Sequence, residues 1–148
     1  MTTTNTSGHA CKDYVKKIVI KRCVVEMLLI GAFGALGAVL RHIIHSSLVF
    51  SKFCQADIGI LFINVLGSFL MGYLFMSSQS ETFFINPSLR VPLMVGLLGG
   101  FTTYSTFSLD VFKRMENTGL SSALFLACIT PALCIFACYC GVYIVRRF

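Results

Sequence analysis

The sequence has no tryptophan, three prolines and six acidic residues among 148. Charged residues make up only 12% of it, against about a quarter in an ordinary soluble domain. So little charge cannot cover a soluble surface. The hydrophobic share is 56% and the mean hydropathy +0.82. A chain this short buries only about 60–70% of its surface when it folds alone. A soluble enzyme, a nucleic-acid module and a disordered tail are therefore excluded.

What is present is a set of long gaps between charges. A membrane helix needs about 20 mostly apolar residues. Residues 58–80 lie between Asp57 and Glu81, 91–109 between Arg90 and Asp110, and 117–145 between Glu116 and Arg146. An earlier span, 24–50, holds Glu26 near its start and Arg41 near its end. The expected fold is an all-α membrane protein of four transmembrane helices, at about 24–50, 58–80, 91–112 and 120–145. They make one domain, 23–148, preceded by a polar arm, 1–22, expected to be disordered and cytoplasmic. The arm has no apolar core of its own, so it is not a secretory signal. Asn5-Thr6-Ser7 matches a glycosylation sequon, a triplet common by chance.

The 12 Lys and Arg residues exceed the 6 acids, giving a net charge of +6. Their placement sets orientation. Lys12, Lys16, Lys17, Lys21, Arg22, Arg90, Arg146 and Arg147 fall on one side, and Lys52, Lys113 and Arg114 on the other. Eight against three places both termini in the cytoplasm. The seven cysteines, Cys11, Cys23, Cys54, Cys128, Cys134, Cys138 and Cys140, are odd in number and lack paired spacing. They do not read as a disulfide framework. Cys134 and Cys138 are i,i+4, but no His or acid accompanies them.

The first span carries Gly31, Gly34 and Gly37 among alanines, a face for close helix packing. The stripe continues to Arg41 and His45. Arg41 either snorkels to the headgroups or lines a wet vestibule that attracts anions. In the second span Asn64, Ser68 and Gly72 share one face. Asn64 reads equally as interhelical glue or as a pore amide whose N–H groups replace water around an anion.

The third span, Gly99-Gly100-Phe101-Thr102-Thr103-Tyr104-Ser105-Thr106-Phe107-Ser108 at its centre, is a poor helix. Paired glycines and the hydroxyl and β-branched residues after them all weaken it. A break here exposes backbone groups, which is tolerated at membrane depth only in protein or at a cavity. The third helix is expected to be broken mid-membrane, with a plain packing kink as the alternative. Tyr104 and Phe107 then share a face; they either pack together or turn positive ring edges toward an anion. The fourth span, with Thr130 and Pro131, reads as a kinked, lipid-facing helix.

These motifs resemble one family. Gly37-Ala38-Val39-Leu40-Arg41-His42 is similar to its first-helix signature. Gly59 through Asn64, then Gly67-Ser68-Phe69 and Gly72, is similar to its second, and the 99–108 run to its third. The family is that of the Fluc (CrcB) fluoride channels. The resemblance covers about Gly31 to Asp110. It implies a passive channel that exports fluoride from the cytoplasm of bacteria across their plasma (inner) membrane. It also implies an antiparallel, dual-topology-type dimer with a structural sodium ion at the dimer interface. Carried onto this chain, Asn64, Tyr104, Ser105, Thr106 and Phe107 would line the fluoride pathway, with Arg41 at the vestibule. Gly99 and Thr102 would give backbone carbonyls to the sodium.

Three departures stand out. The family commonly has threonine four residues before the pore asparagine, where this chain has Ile60. Tyr104 stands where phenylalanine is usual. The charge bias favours one orientation, so an antiparallel dimer needs either an oppositely oriented paralogue or a homodimer in which the arm's lysines count for little. The competing reading is a proton-coupled small multidrug or guanidinium exporter. That family depends on a carboxylate deep in the first helix, and the only candidate is Glu26 near its start.

Overall fold

The computed structural model describes residues 6–50, 56–79 and 85–147; Asn5 of the sequon, Lys52 and Cys54 lie outside them. All regular structure among the described residues is helical. Helix α1 runs Thr6–Phe50, α2 Ala56–Ser77 and α3 Pro87–Val91. A π-helical stretch Pro92–Leu98 leads into a short α4, Gly99–Phe101. Helix α5 comes next at Tyr104–Thr118, then α6 at Leu120–Arg147.

Three helical stretches are long and apolar enough to cross a membrane: Val19–Ser47, Ile58–Ser77 and Leu120–Arg147. Spans of that length and composition mark a multi-pass membrane protein. The described part of the arm differs from expectation, because α1 begins at Thr6 and Thr6–Arg22 is helical. No proline and no glycine falls between Cys11 and Ile30, and lysine-rich sequence carries little helix penalty. At about 1.5 Å per residue, the 45 residues of α1 reach well beyond a hydrocarbon core of about 30 Å.

Small residues decide how the helices meet. A Cβ on Gly37 would collide with the Leu97 carbonyl, and one on Gly100 with the Gly34 carbonyl. One on Gly96 would lie 2.7 Å from the Ile30 carbonyl. The glycine stripe of α1 thus packs backbone to backbone against the π-helical stretch and α4. Helices α2 and α6 meet the same way, Gly72 against Cys138 and Gly141 against Phe69. Such contacts supply dispersion where lipid offers no hydrophobic drive. The outward faces stay apolar and bare, as at Met27, Leu28, Phe125 and Phe136.

The turn between α5 and α6 is closed by Gly119 at φ 94°, whose N–H returns to the Met115 carbonyl. That left-handed cap suits glycine. Arg114 Nε donates to Ser122 Oγ at 2.8 Å across the same turn.

Candidate functional site

The residues after Phe101 cannot continue its helix. Thr102 adopts φ −81°, ψ 156° and Thr103 φ −151°, ψ 123°, both extended. Helix then resumes at Tyr104. The expected span 91–112 is therefore divided among α3, the π-helical stretch, α4 and α5. Threonine fits the interruption because its branched side chain favours extended backbone and its hydroxyl can cap the start of the next helix. Thr103 Oγ1 accepts from the Thr106 N–H at 3.3 Å. It donates to Thr106 Oγ1 at 3.2 Å and lies 3.2 Å from Ser105 Oγ.

Asn64 holds the interruption from outside. Its Nδ2 donates to the Thr103 carbonyl at 3.1 Å, and the Thr103 N–H donates to its Oδ1 at 2.8 Å. A backbone N–H can only donate, so this pairing also fixes which way round the amide lies. Both residues are buried, each 8% exposed. Nδ2 carries two protons, and one goes to Thr103. One N–H therefore serves as glue, and the bond to Thr103 uses only one of the two protons.

Beside this clamp lies a cavity of about 420 Å³. Its α2 wall includes Asn64, Gly67, Ser68 and Met71. Thr102, Thr103, Tyr104 and Phe107 come from the interruption and α5. Thr130, Pro131, Cys134, Ile135 and Cys138 come from α6. Gly67 allows the approach of the interruption, because a Cβ there would collide with the Thr102 methyl. The Tyr104 and Phe107 rings sit 5.6 Å apart, tilted by 55°. Tyr104 is 77% exposed, whereas Phe107 is buried against Ile60 and Leu126. Ile60, in place of the usual threonine, thus backs the Phe107 ring and is absent from the cavity wall.

The sequence-predicted residues separate into groups. Asn64, Tyr104 and Phe107 line the cavity. Ser105 and Thr106 instead gather round the Thr103 hydroxyl and do not line the cavity. Arg41 is half-buried on α1 and lies off the cavity lining. Thr102 closes the end of α4, with both its N–H and its Oγ1 donating to the Leu98 carbonyl at 3.0 Å. In an unbroken helix the Thr103 N–H would bond the Gly99 carbonyl; here Asn64 takes it.

The sequence reading missed α6. Thr130 is 3% exposed, and its Oγ1 is buried with no hydrogen-bond partner. Thr130, Cys134 and Cys138 recur at i,i+4,i+8, the same spacing as Asn64, Ser68 and Gly72. That repeat was the available signal, and it makes this face of α6 a cavity wall and not lipid-facing bulk. The proline at 131 also removes the N–H that would bond the carbonyl four residues earlier. Glu26 lines a different cavity, of about 570 Å³, with Lys21, Arg22 and Ser88.

The model of the "CrcB-like protein, Camphor Resistance (CrcB)" family matches residues 28–142. The chain belongs to the CrcB family. It is 36% identical over 121 residues to the fluoride-specific ion channel FluC of Geobacter sulfurreducens, covering 82% of this chain and 97% of that one. It is 37% identical over 123 residues to FluC of Rhizobium meliloti, covering 82% and 96%. FluC 1 of Methanosarcina acetivorans is 38% identical over 115 residues, covering 78% and 86%. The match of CrcB sequence takes in α2, the interruption and nearly all of α6, so the whole cavity lies inside it.

Proposed function

We propose that this CrcB-family chain is a passive, fluoride-selective ion channel that lowers intracellular fluoride. It is a conduit and not an enzyme. The observation that carries the reading is the cavity wall that assembles Asn64, Ser68, Tyr104, Phe107 and Thr130. Fluoride is small and strongly hydrated, so several donors must replace its water at once. The wall offers one amide N–H, the hydroxyls of Ser68, Tyr104 and Thr130 and a buried aromatic ring, with no formal positive charge among these groups. Hydrogen bonds to an ionised partner are worth roughly twice neutral ones. The full permeation path has Ser105, Thr106 and Arg41 near its approaches.

The segment 87–118 acts as the third of four membrane crossings, interrupted at Thr102–Thr103. The interruption also suits a sodium ion. Alkali cations want hard oxygen ligands, and carbonyls released where a helix stops are such ligands. Gly99 and Thr102 fit, because the Gly99 carbonyl loses its helical donor to Asn64 and the Thr102 carbonyl turns out of the helix. When bound, the ion would offset the negative ends of the broken helix. It would sit at the interface of an antiparallel dimer, formed with a second copy or with an oppositely oriented paralogue. The chain spans the plasma membrane with both termini in the cytoplasm.

A proton-coupled exporter needs its carboxylate in the transport site. Glu26 lines the other cavity, and the family relationship does not favour that reading. The test is efflux from proteoliposomes loaded with fluoride or chloride, followed by ion-selective electrodes. Rapid fluoride loss without chloride loss is expected. Equal fluxes, no fluoride flux, or flux that needs a proton gradient would overturn the channel reading.

A further inference from the structure

The cavity wall contains two side chains for which anion conduction has no use. Cys134 and Cys138 are free thiols, both half-buried, and both line the cavity. Cys138 Sγ is turned toward α2, since a Cβ on Gly72 would lie 3.1 Å from it. Residues four apart on a helix place their Cβ atoms about 5–6 Å apart on one face. Two metal–sulfur bonds of about 2.3 Å each span about 4.6 Å in a straight line. Helical spacing therefore matches a linear dithiolate.

Among the described residues no group of three or more His, Cys, Asp or Glu gathers to hold a metal. A tetrahedral zinc site needs four ligands and is not available. Soft ions that accept two sulfurs in line need only this pair, and thiolate sulfur selects them over hard ions. We propose that Cys134 and Cys138 form a two-thiol site for a soft, two-coordinate metal ion of the Cu(I) or Hg(II) class, set in the cavity wall. Binding replaces two S–H bonds by two S–metal bonds and releases two protons to water. The ion then occupies the space beside Ser68 and Thr130. Its effect on flux rests on the channel reading; its binding does not.

The purified full-length chain is titrated with Hg²⁺, and the ultraviolet thiolate-to-metal absorption is read. Fluoride efflux from liposomes is measured over the same Hg²⁺ range. Losing one of two linked ligands forfeits about 10²-fold or more in apparent affinity. Cys134→Ser and Cys138→Ser should each shift the midpoints for binding and for block by at least that much. Cys128→Ser, at an exposed thiol off the cavity, should leave both midpoints in place. Cys134→Ala and Cys138→Ala answer the same question if a serine variant does not fold. Unshifted midpoints, or a shift in only one of the two variants, overturn the two-thiol site. Tight, pair-dependent binding in a protein that conducts no fluoride supports the site and overturns the channel reading.

Discussion

Asn64 and Thr103, 39 residues apart, hold each other by two hydrogen bonds, amide to backbone in both directions. The pair joins the middle of α2 to the point where helix stops between α4 and α5. One amide thus takes the place of backbone bonds that the interruption gives up.

Asn64→Ala should therefore damage both fold and flux. It strands a buried N–H and a buried carbonyl at Thr103, each worth about 1–3 kcal/mol. Thermal unfolding in detergent should show a loss of about 2–6 kcal/mol, with fluoride efflux abolished. A stability equal to wild type would show that the clamp does not hold the interruption.

Thr130→Val should separate function from stability. The hydroxyl is buried without a protein partner, so a methyl group in its place strands nothing. Stability should hold or rise. Fluoride flux should fall about 10- to 100-fold, the equivalent of one hydrogen bond to a charge, while Thr130→Ser keeps most of it. Full flux through Thr130→Val removes this residue from the path.

Phe107→Ile should suppress fluoride flux while the protein stays folded. Ile60→Thr, which restores the family's usual residue, should not raise flux. Ile60 is 2% exposed behind the Phe107 ring, so a threonine there loses packing and buries a hydroxyl, a cost of about 1–3 kcal/mol. Parallel efflux and melting curves check both variants, and faster efflux in Ile60→Thr would put position 60 on the path.

Gly37→Ala should destabilise by about 1–3 kcal/mol, because its Cβ would meet the Leu97 carbonyl and not a flexible side chain. Gly31→Ala, with nothing within 4 Å of its Cβ, is the matched control and should be neutral. Equal melting temperatures for the two would remove close packing as the reason for the stripe.

Removing the arm's positive charge should mix the orientations. With Lys12, Lys16, Lys17 and Lys21 changed to serine, the eight-to-three bias becomes four to three. Protease protection of tags at the termini should then report both orientations in one membrane. A single retained orientation would show that the arm does not set it.

Composition and charge spacing were enough for the membrane class and the helical fold. Apolar runs of about 20 residues have few other outcomes. The poor helix at 99–108 was also legible, because glycine and β-branched penalties act locally. Asn64, Tyr104 and Phe107, which stand in the most distinctive motifs, come together on one cavity wall. Local sequence could not decide which groups face one another. Ser105 and Thr106 carry the same hydroxyls as Thr130, yet Thr103 engages the first two and leaves the third bare to the cavity. Ile60 reads as a missing donor in sequence and as the support of Phe107 in three dimensions. Those assignments depend on contacts between α2, the interruption and α6, and such contacts exist only once glycine-lined helices have closed on one another.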